Sequence, residues 1–166
     1  GINLARLDIR QESTRHSQLI AELINKKYKK DYLKFSELEK INFLKSAIKS
    51  KKNIINNFVF RNKENKEVWS TFNVLSQEPD ECLGAYVISM TSSASDILSV
   101  SFLQKEAKIK NKLRVVPLFE TLEDLINAKP IMENLFSQKW YRKLTNHKQE
   151  VMIGYSDSSK DAGKMC

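Results

Sequence analysis

Cysteine, proline and glycine are all scarce: 2, 3 and 4 residues respectively in a chain of 166. Cys82 and Cys166 have neither CxxC spacing nor a neighbouring histidine pair, which excludes a zinc finger and a disulfide framework and leaves two unpaired thiols. No stretch approaches the roughly 20 apolar residues that cross a bilayer. The amino terminus also lacks the charged-then-apolar layout of a secretory signal, so a cytoplasmic protein without a membrane partner is expected. Neither an internal repeat nor a Gly/Ser linker divides the chain. At 41% hydrophobic it has the length and composition of one globular domain.

Acidic residues are also in deficit, 20 against 28 Lys and Arg, for a net charge of +8. The imbalance is local: residues 26–66 carry 13 basic and 4 acidic groups. Lysine far outnumbers arginine there and few aromatics are interleaved, so the segment reads as a solvated helical face and loop. A phosphate-gripping nucleic-acid module is the sharper alternative.

Four times a short apolar run passes through a few polar residues into a helical period. Residues 4–9 lead to a helix over 12–29 carrying Leu19, Leu23 and the Lys26 stem. Residues 85–89 lead to a helix over 95–108 that buries Ile97, Leu98, Phe102 and Leu103. Residues 113–119 lead to Thr121, a helix cap with Asp124 at the capping-box position. The fourth run is 150–155. Two extra helices fall within a helical insertion over 30–80. One starts at Ser36 with Glu39 in box spacing and buries Leu38, Ile41, Leu44 and Ile48; the other, over 65–76, buries Val68, Phe72 and Leu75 and ends before Pro79. Pro130 suits the first turn of a separate helix over 131–136.

This alternation predicts an α/β fold of about four parallel strand-helix units. A (β/α)8 TIM-type barrel needs about 250 residues, so the chain is expected to be an incomplete part of one catalytic barrel, residues 1–166. The absence of an initiator methionine points the same way. In such a barrel the residues just past each strand share one rim, and here they are polar: Arg10, Gln11 and Glu12, then Glu120, then Asp157 and Lys160. Carboxylates from two strands suit a hard divalent cation. A nearby arginine and lysine suit a ligand with carboxylate and phosphate groups. Plainer readings stand beside these: Glu120 as a helix-start residue, Asp157 as a turn residue, and Arg10 as the ion-pair partner of Asp8 or Glu12. His16 reads as structural or exposed, His147 lies at the wrong strand end, and Trp140 and Tyr141 read as packing residues.

Four ordered segments carry a resemblance: LARLDIRQESTRH (residues 4–16), GAYVISM (84–90), LRVVPLFETLEDL (113–125) and VMIGYSDSSKDAG (151–163). Together they resemble phosphoenolpyruvate carboxylase, with Thr91 and Ser159 as small departures that remove no charge. The resemblance implies that Glu120 and Asp157 bind the metal, Mg2+ or Mn2+. It implies that Arg10 binds substrate and that Lys160 is an active-site lysine, both serving catalysis. It further implies carbon dioxide fixation from phosphoenolpyruvate and bicarbonate, supplying oxaloacetate to the tricarboxylic acid cycle, in a homotetrameric parent. The family's glycine-rich arginine loop and active-site histidines have no counterpart here, so the isolated segment is expected to be inactive. Another phosphoenolpyruvate- or pyruvate-handling barrel is the alternative within enzymes.

Overall fold

A computed structural model describes residues 6–154. Four parallel strands form one sheet in the order β1-β2-β3-β4: Leu7–Glu12, Leu83–Ser89, Arg114–Phe119 and Met152–Ile153. Helix α1, Ser13–Tyr28, follows β1, and α2 (Glu37–Lys49) and α3 (Lys63–Leu75) come before β2. Helix α4, Ala94–Glu106, links β2 to β3, and α5 (Leu122–Ser137) with α6 (Lys139–Leu144) links β3 to β4.

The two faces of the sheet differ. Tyr86, Ile88 and Phe119 join the large core built with all six helices, whereas Ala85, Val87, Val116 and Leu118 form a separate cluster of strand residues alone. The alternating side-chain period of a strand makes this division, and it puts all helices of the described residues on one side. On that side Phe72 of α3 stacks on Tyr86 with ring centroids 5.2 Å apart, and the His16 ring lies 5.5 Å from Tyr86.

Several expectations shift. β1 starts later and reaches Glu12, because Arg10, Gln11 and Glu12 pair with Val87, Ile88 and Ser89; these three lie within the strand rather than beyond it. β4 shrinks to Met152–Ile153, and Tyr155 lies outside the described residues. Pro130 does not open a new helix. The stripe Leu125, Ala128, Ile131 and Leu135 runs unbroken through α5 on its core side, while the proline sits on the exposed side. Leu38 is 68% exposed and Ile48 half-buried, whereas Ile41 and Leu44 are buried as expected, with Ala47 beside them. Helix α4 is buried almost all round, not on one side, because α2 and the sheet both pack on it.

The capping boxes at Ser36/Glu39 and Thr121/Asp124 both form. A third at Ser93/Asp96 starts α4. Two carboxylates fasten the region before β2. Buried Glu106 accepts from the Ile55 amide at 2.6 Å and from Lys105 Nζ at 2.7 Å. Glu22 accepts from the Arg61 amide at 2.6 Å, Asn65 Nδ2 at 2.8 Å and Lys26 Nζ at 3.1 Å, tying α1 to the start of α3. Burial alone would raise the Glu22 pKa, but the bonds from Arg61, Asn65, Lys26 and Asn62 outweigh it and hold the carboxyl below its ordinary value. A depressed carboxyl stabilises the fold above its unfolded-state pKa and loses that effect as pH falls through the folded one. Glu22→Gln is therefore expected to loosen α3 by about 1–2 kcal/mol at neutral pH. Amide exchange in α3 should show the gap closing at acid pH.

The basic stretch is partly engaged within the fold. Lys26 Nζ donates to the Val59 carbonyl at 2.9 Å, Lys27 donates to Ile54, and Lys45 and Lys49 lie over the Trp140 ring. Such lysines cover aromatic and backbone groups of their own chain with their stems. No helix among the described residues is long and apolar enough to cross a membrane.

Candidate functional site

A cavity of about 520 Å³ lies at the end of the sheet where the strands begin, lined by Gln104, Leu113, Tyr141 and Gln149 among others. Its polar groups serve one another. Gln104 clamps both the amide and the carbonyl of Leu113, Tyr141 Oη donates to Gln149, Gln149 donates to the Val115 carbonyl, and Arg114 pairs with Glu150. That is how a loop-to-sheet junction is fastened, and it leaves little chemistry for a ligand.

The opposite end, where the strands finish, is different. On the sheet face away from the helices, Arg10 of β1 lies in register with Val87, and Val87 with Val116. Two residues beyond Leu118 on the same alternation comes Glu120. Arg10 Nη2 donates to Glu120 Oε1 at 2.8 Å across 110 residues of sequence. The arginine side chain is 59% exposed and the glutamate 11%, so the pair is a buried acid under a half-open guanidinium. Below it Ala85, Val87, Val116 and Leu118 make a dry floor.

Two neighbours fix Glu120. Asp124 Oδ2 accepts from the Glu120 amide at 3.2 Å and from the Thr121 amide at 3.0 Å, so the capping box of α5 also holds the end of β3. The Gly154 amide donates to the Phe119 carbonyl at 3.0 Å, bringing the end of β4 alongside. A Cβ on Gly154 would come within 2.9 Å of Glu120 Cγ, too close for a real contact. Glycine is required there because the glutamate stem passes over its backbone.

Asp8 and Glu12 do not pair with Arg10. β2 carries one extra residue opposite Asp8, and Asp8 Oδ1 accepts from the Ala85 amide at 2.7 Å. The carboxylate thus supplies the partner that the bulge denies that amide. Glu12 accepts from Thr14 Oγ1 at 2.6 Å. Past β2, Met90 adopts a left-handed backbone with φ 56° at the same rim, and Ser13 Oγ donates to its carbonyl at 2.6 Å. Neither residue type signals such a turn in sequence.

Of the four site residues expected from sequence, Arg10 and Glu120 meet, and Asp157 and Lys160 lie outside the described residues. Among the described residues no group of three or more His, Cys, Asp and Glu side chains converges as a metal cage. A glutamate carboxylate is of the oxygen-donor type that hard cations take, and the Glu120 stem is held at a strand end on a glycine cradle. His16 is buried on the helix side of the sheet, with Nε2 2.8 Å from Tyr86 Oη, and is remote from this rim chemistry. Tyr141 is buried and Trp140 half-buried, both within the helical layer.

A family described as phosphoenolpyruvate carboxylase matches residues 1–166. The chain is 46% identical over 164 residues to phosphoenolpyruvate carboxylase 1 of Flaveria trinervia, covering 99% of this chain and 17% of that protein. It is 47% identical over 165 residues to the phosphoenolpyruvate carboxylase of Proteus mirabilis, covering 99% of this chain and 19% of that protein. It thus spans less than a fifth of the length of these curated relatives. With the match running the whole length of the chain, the chain belongs to the phosphoenolpyruvate carboxylase family.

Proposed function

We propose that this chain is part of the catalytic centre of an enzyme that makes oxaloacetate and phosphate from phosphoenolpyruvate and bicarbonate. One observation carries the reading: Arg10 and Glu120, from strands first and third in the sheet, converge at 2.8 Å at the ends of those strands. Sequential strand order with all helices of the described residues on one face supports a (β/α)8 barrel, since a doubly wound sheet reverses its order and covers both faces. The rim where Arg10 and Glu120 meet is then the catalytic end of that barrel.

Glu120 and Asp157 would hold a magnesium or manganese ion, which supplies positive charge to phosphate and enolate oxygens. Arg10 presents its guanidinium to the substrate's anionic groups, and Lys160 adds a second positive charge. Bicarbonate oxygen attacks phosphorus, the bond from phosphorus to the enol oxygen breaks, and its electron pair stays on the enolate. The carboxyphosphate so formed releases carbon dioxide and phosphate, and the enolate carbon adds to the carbon dioxide. The floor of Ala85, Val87, Val116 and Leu118 keeps water from that side, which limits protonation of the enolate to pyruvate.

The test is an assay of the full-length parent and of the 166-residue chain with phosphoenolpyruvate, bicarbonate and Mg2+. Oxaloacetate should form with the parent only. A parent that makes pyruvate and ATP from ADP would favour a kinase-type barrel instead, and product from the short chain would show that its own residues suffice.

A further inference from the structure

We propose that Arg10 is an exchangeable counter-ion: it neutralises Glu120 while the site is empty and moves to the anionic substrate when a divalent cation takes over the carboxylate. The inference rests on the reading of Glu120 as a metal ligand and adds to it a coupling between cation and substrate.

The geometry carries it. Glu120 is an 8% exposed acid at the end of a buried strand, and an anion so placed is held by a partner or pays heavily in lost hydration. Its ion-pair partner among the described residues is Arg10, through one nitrogen to one oxygen at 2.8 Å. A single contact leaves most of the guanidinium's five N–H donors for other use, and the arginine side chain is 59% exposed. A one-point, half-exposed pair is weak and exchanges readily, unlike a buried two-point fork. The other acids on β1 are committed elsewhere, Asp8 to the Ala85 amide and Glu12 to Thr14, so neither competes for the guanidinium once it leaves Glu120.

A cation on Glu120 competes with Arg10 for the same carboxylate charge. Once displaced, Arg10 carries an uncompensated charge at the rim, where its planar fork fits a phosphate or carboxylate with two parallel bonds. Arg10 thereby opposes the cation in the empty site and assists it when substrate is present. Linkage then requires substrate to raise cation affinity by the factor by which the cation raises substrate affinity, and couplings of this kind run from about 5- to 150-fold.

The experiment uses the full-length parent in bicarbonate-depleted buffer and follows free Mn2+ by its paramagnetic resonance, with and without phosphoenolpyruvate. In the parent, phosphoenolpyruvate should tighten Mn2+ binding about tenfold, within that coupling range. In Arg10→Met, Mn2+ alone should bind several-fold more tightly than in the parent, and the tightening by phosphoenolpyruvate should fall to less than twofold. A damaged or misfolded site would lose Mn2+ affinity, so a gain cannot come from disruption. Arg10→Lys, which keeps the charge but not the fork, should retain the weak binding of Mn2+ alone and lose most of the coupling. Glu120→Gln separates the two levels: unchanged Mn2+ affinity in that variant overturns the metal-ligand reading itself. Weakened affinity there, together with an Arg10→Met protein whose Mn2+ affinity and coupling match the parent's, overturns the exchange alone.

Discussion

Glu120→Gln in the full-length parent is expected to lower kcat by about a hundredfold or more, since a metal's charge stabilisation is worth several kcal/mol and each 1.4 kcal/mol is tenfold. Stability should hardly change. The substitution keeps the side chain's size above Gly154, and the amide of residue 120 stays bonded to Asp124. The ion pair that is lost runs to an arginine whose side chain is 59% exposed, and pairs of this kind contribute about 0–1 kcal/mol. Raising Mn2+ should restore part of the rate, because a neutral amide oxygen is a poorer ligand but still one. Steady-state kinetics across a metal titration, beside a thermal melt, measure both quantities. Parent-like kcat in the variant would remove Glu120 from the chemistry. A collapsed melting temperature would make it a residue of the fold.

Much of this site was legible before any coordinates, for identifiable reasons. Thr121 and Asp124 announced the start of α5 because a capping box is local chemistry, and that start places Glu120 at the rim. The convergence of Arg10 with Glu120 required only that strands alternate with helices. The plainer alternatives, Arg10 paired with Asp8 or Glu12, could not be dismissed from sequence, because they fail through a β-bulge opposite Asp8 and a hydroxyl on Thr14, both set by register. Register is likewise why β1 runs to Glu12. Leu38 and the far side of α4 were misjudged for one reason: helical periodicity tells which residues share a stripe, but not what else covers the helix. The role of Gly154 was visible as a glycine and invisible as a spacer, since the atom it makes room for lies 34 residues away in Glu120.

His16 makes the fold acid-sensitive in a window where carboxylates do not yet titrate. It is fully buried between Phe72 and Tyr86, Nε2 lies 2.8 Å from Tyr86 Oη, and Nδ1 has no partner among the described residues. The neutral ring and Tyr86 share one hydrogen bond whose donor depends on the tautomer, and Nδ1 is left without a partner among the described residues. Protonating the ring would bury a charge, and burial accordingly lowers the pKa from 6.5 to about 3. With the folded pKa below the unfolded one, stability is complete above about 6.5 and falls as the unfolded chain takes up the proton. The loss reaches about 2 kcal/mol at pH 5 and grows by about 1.4 kcal/mol per further unit until the folded ring titrates too. Glu22 and Glu39, whose pKa values are depressed, add their own losses only below the ordinary carboxylate range. Amide exchange in α1 and β2 of the parent protein should therefore quicken by more than tenfold between pH 7 and pH 5, after correction for intrinsic rates. His16→Gln, which can still hydrogen-bond to Tyr86 but cannot take up the proton, should show a flat profile over that interval even if its protection at pH 7 is lower. An equal decline in both proteins would assign the acid sensitivity to other groups.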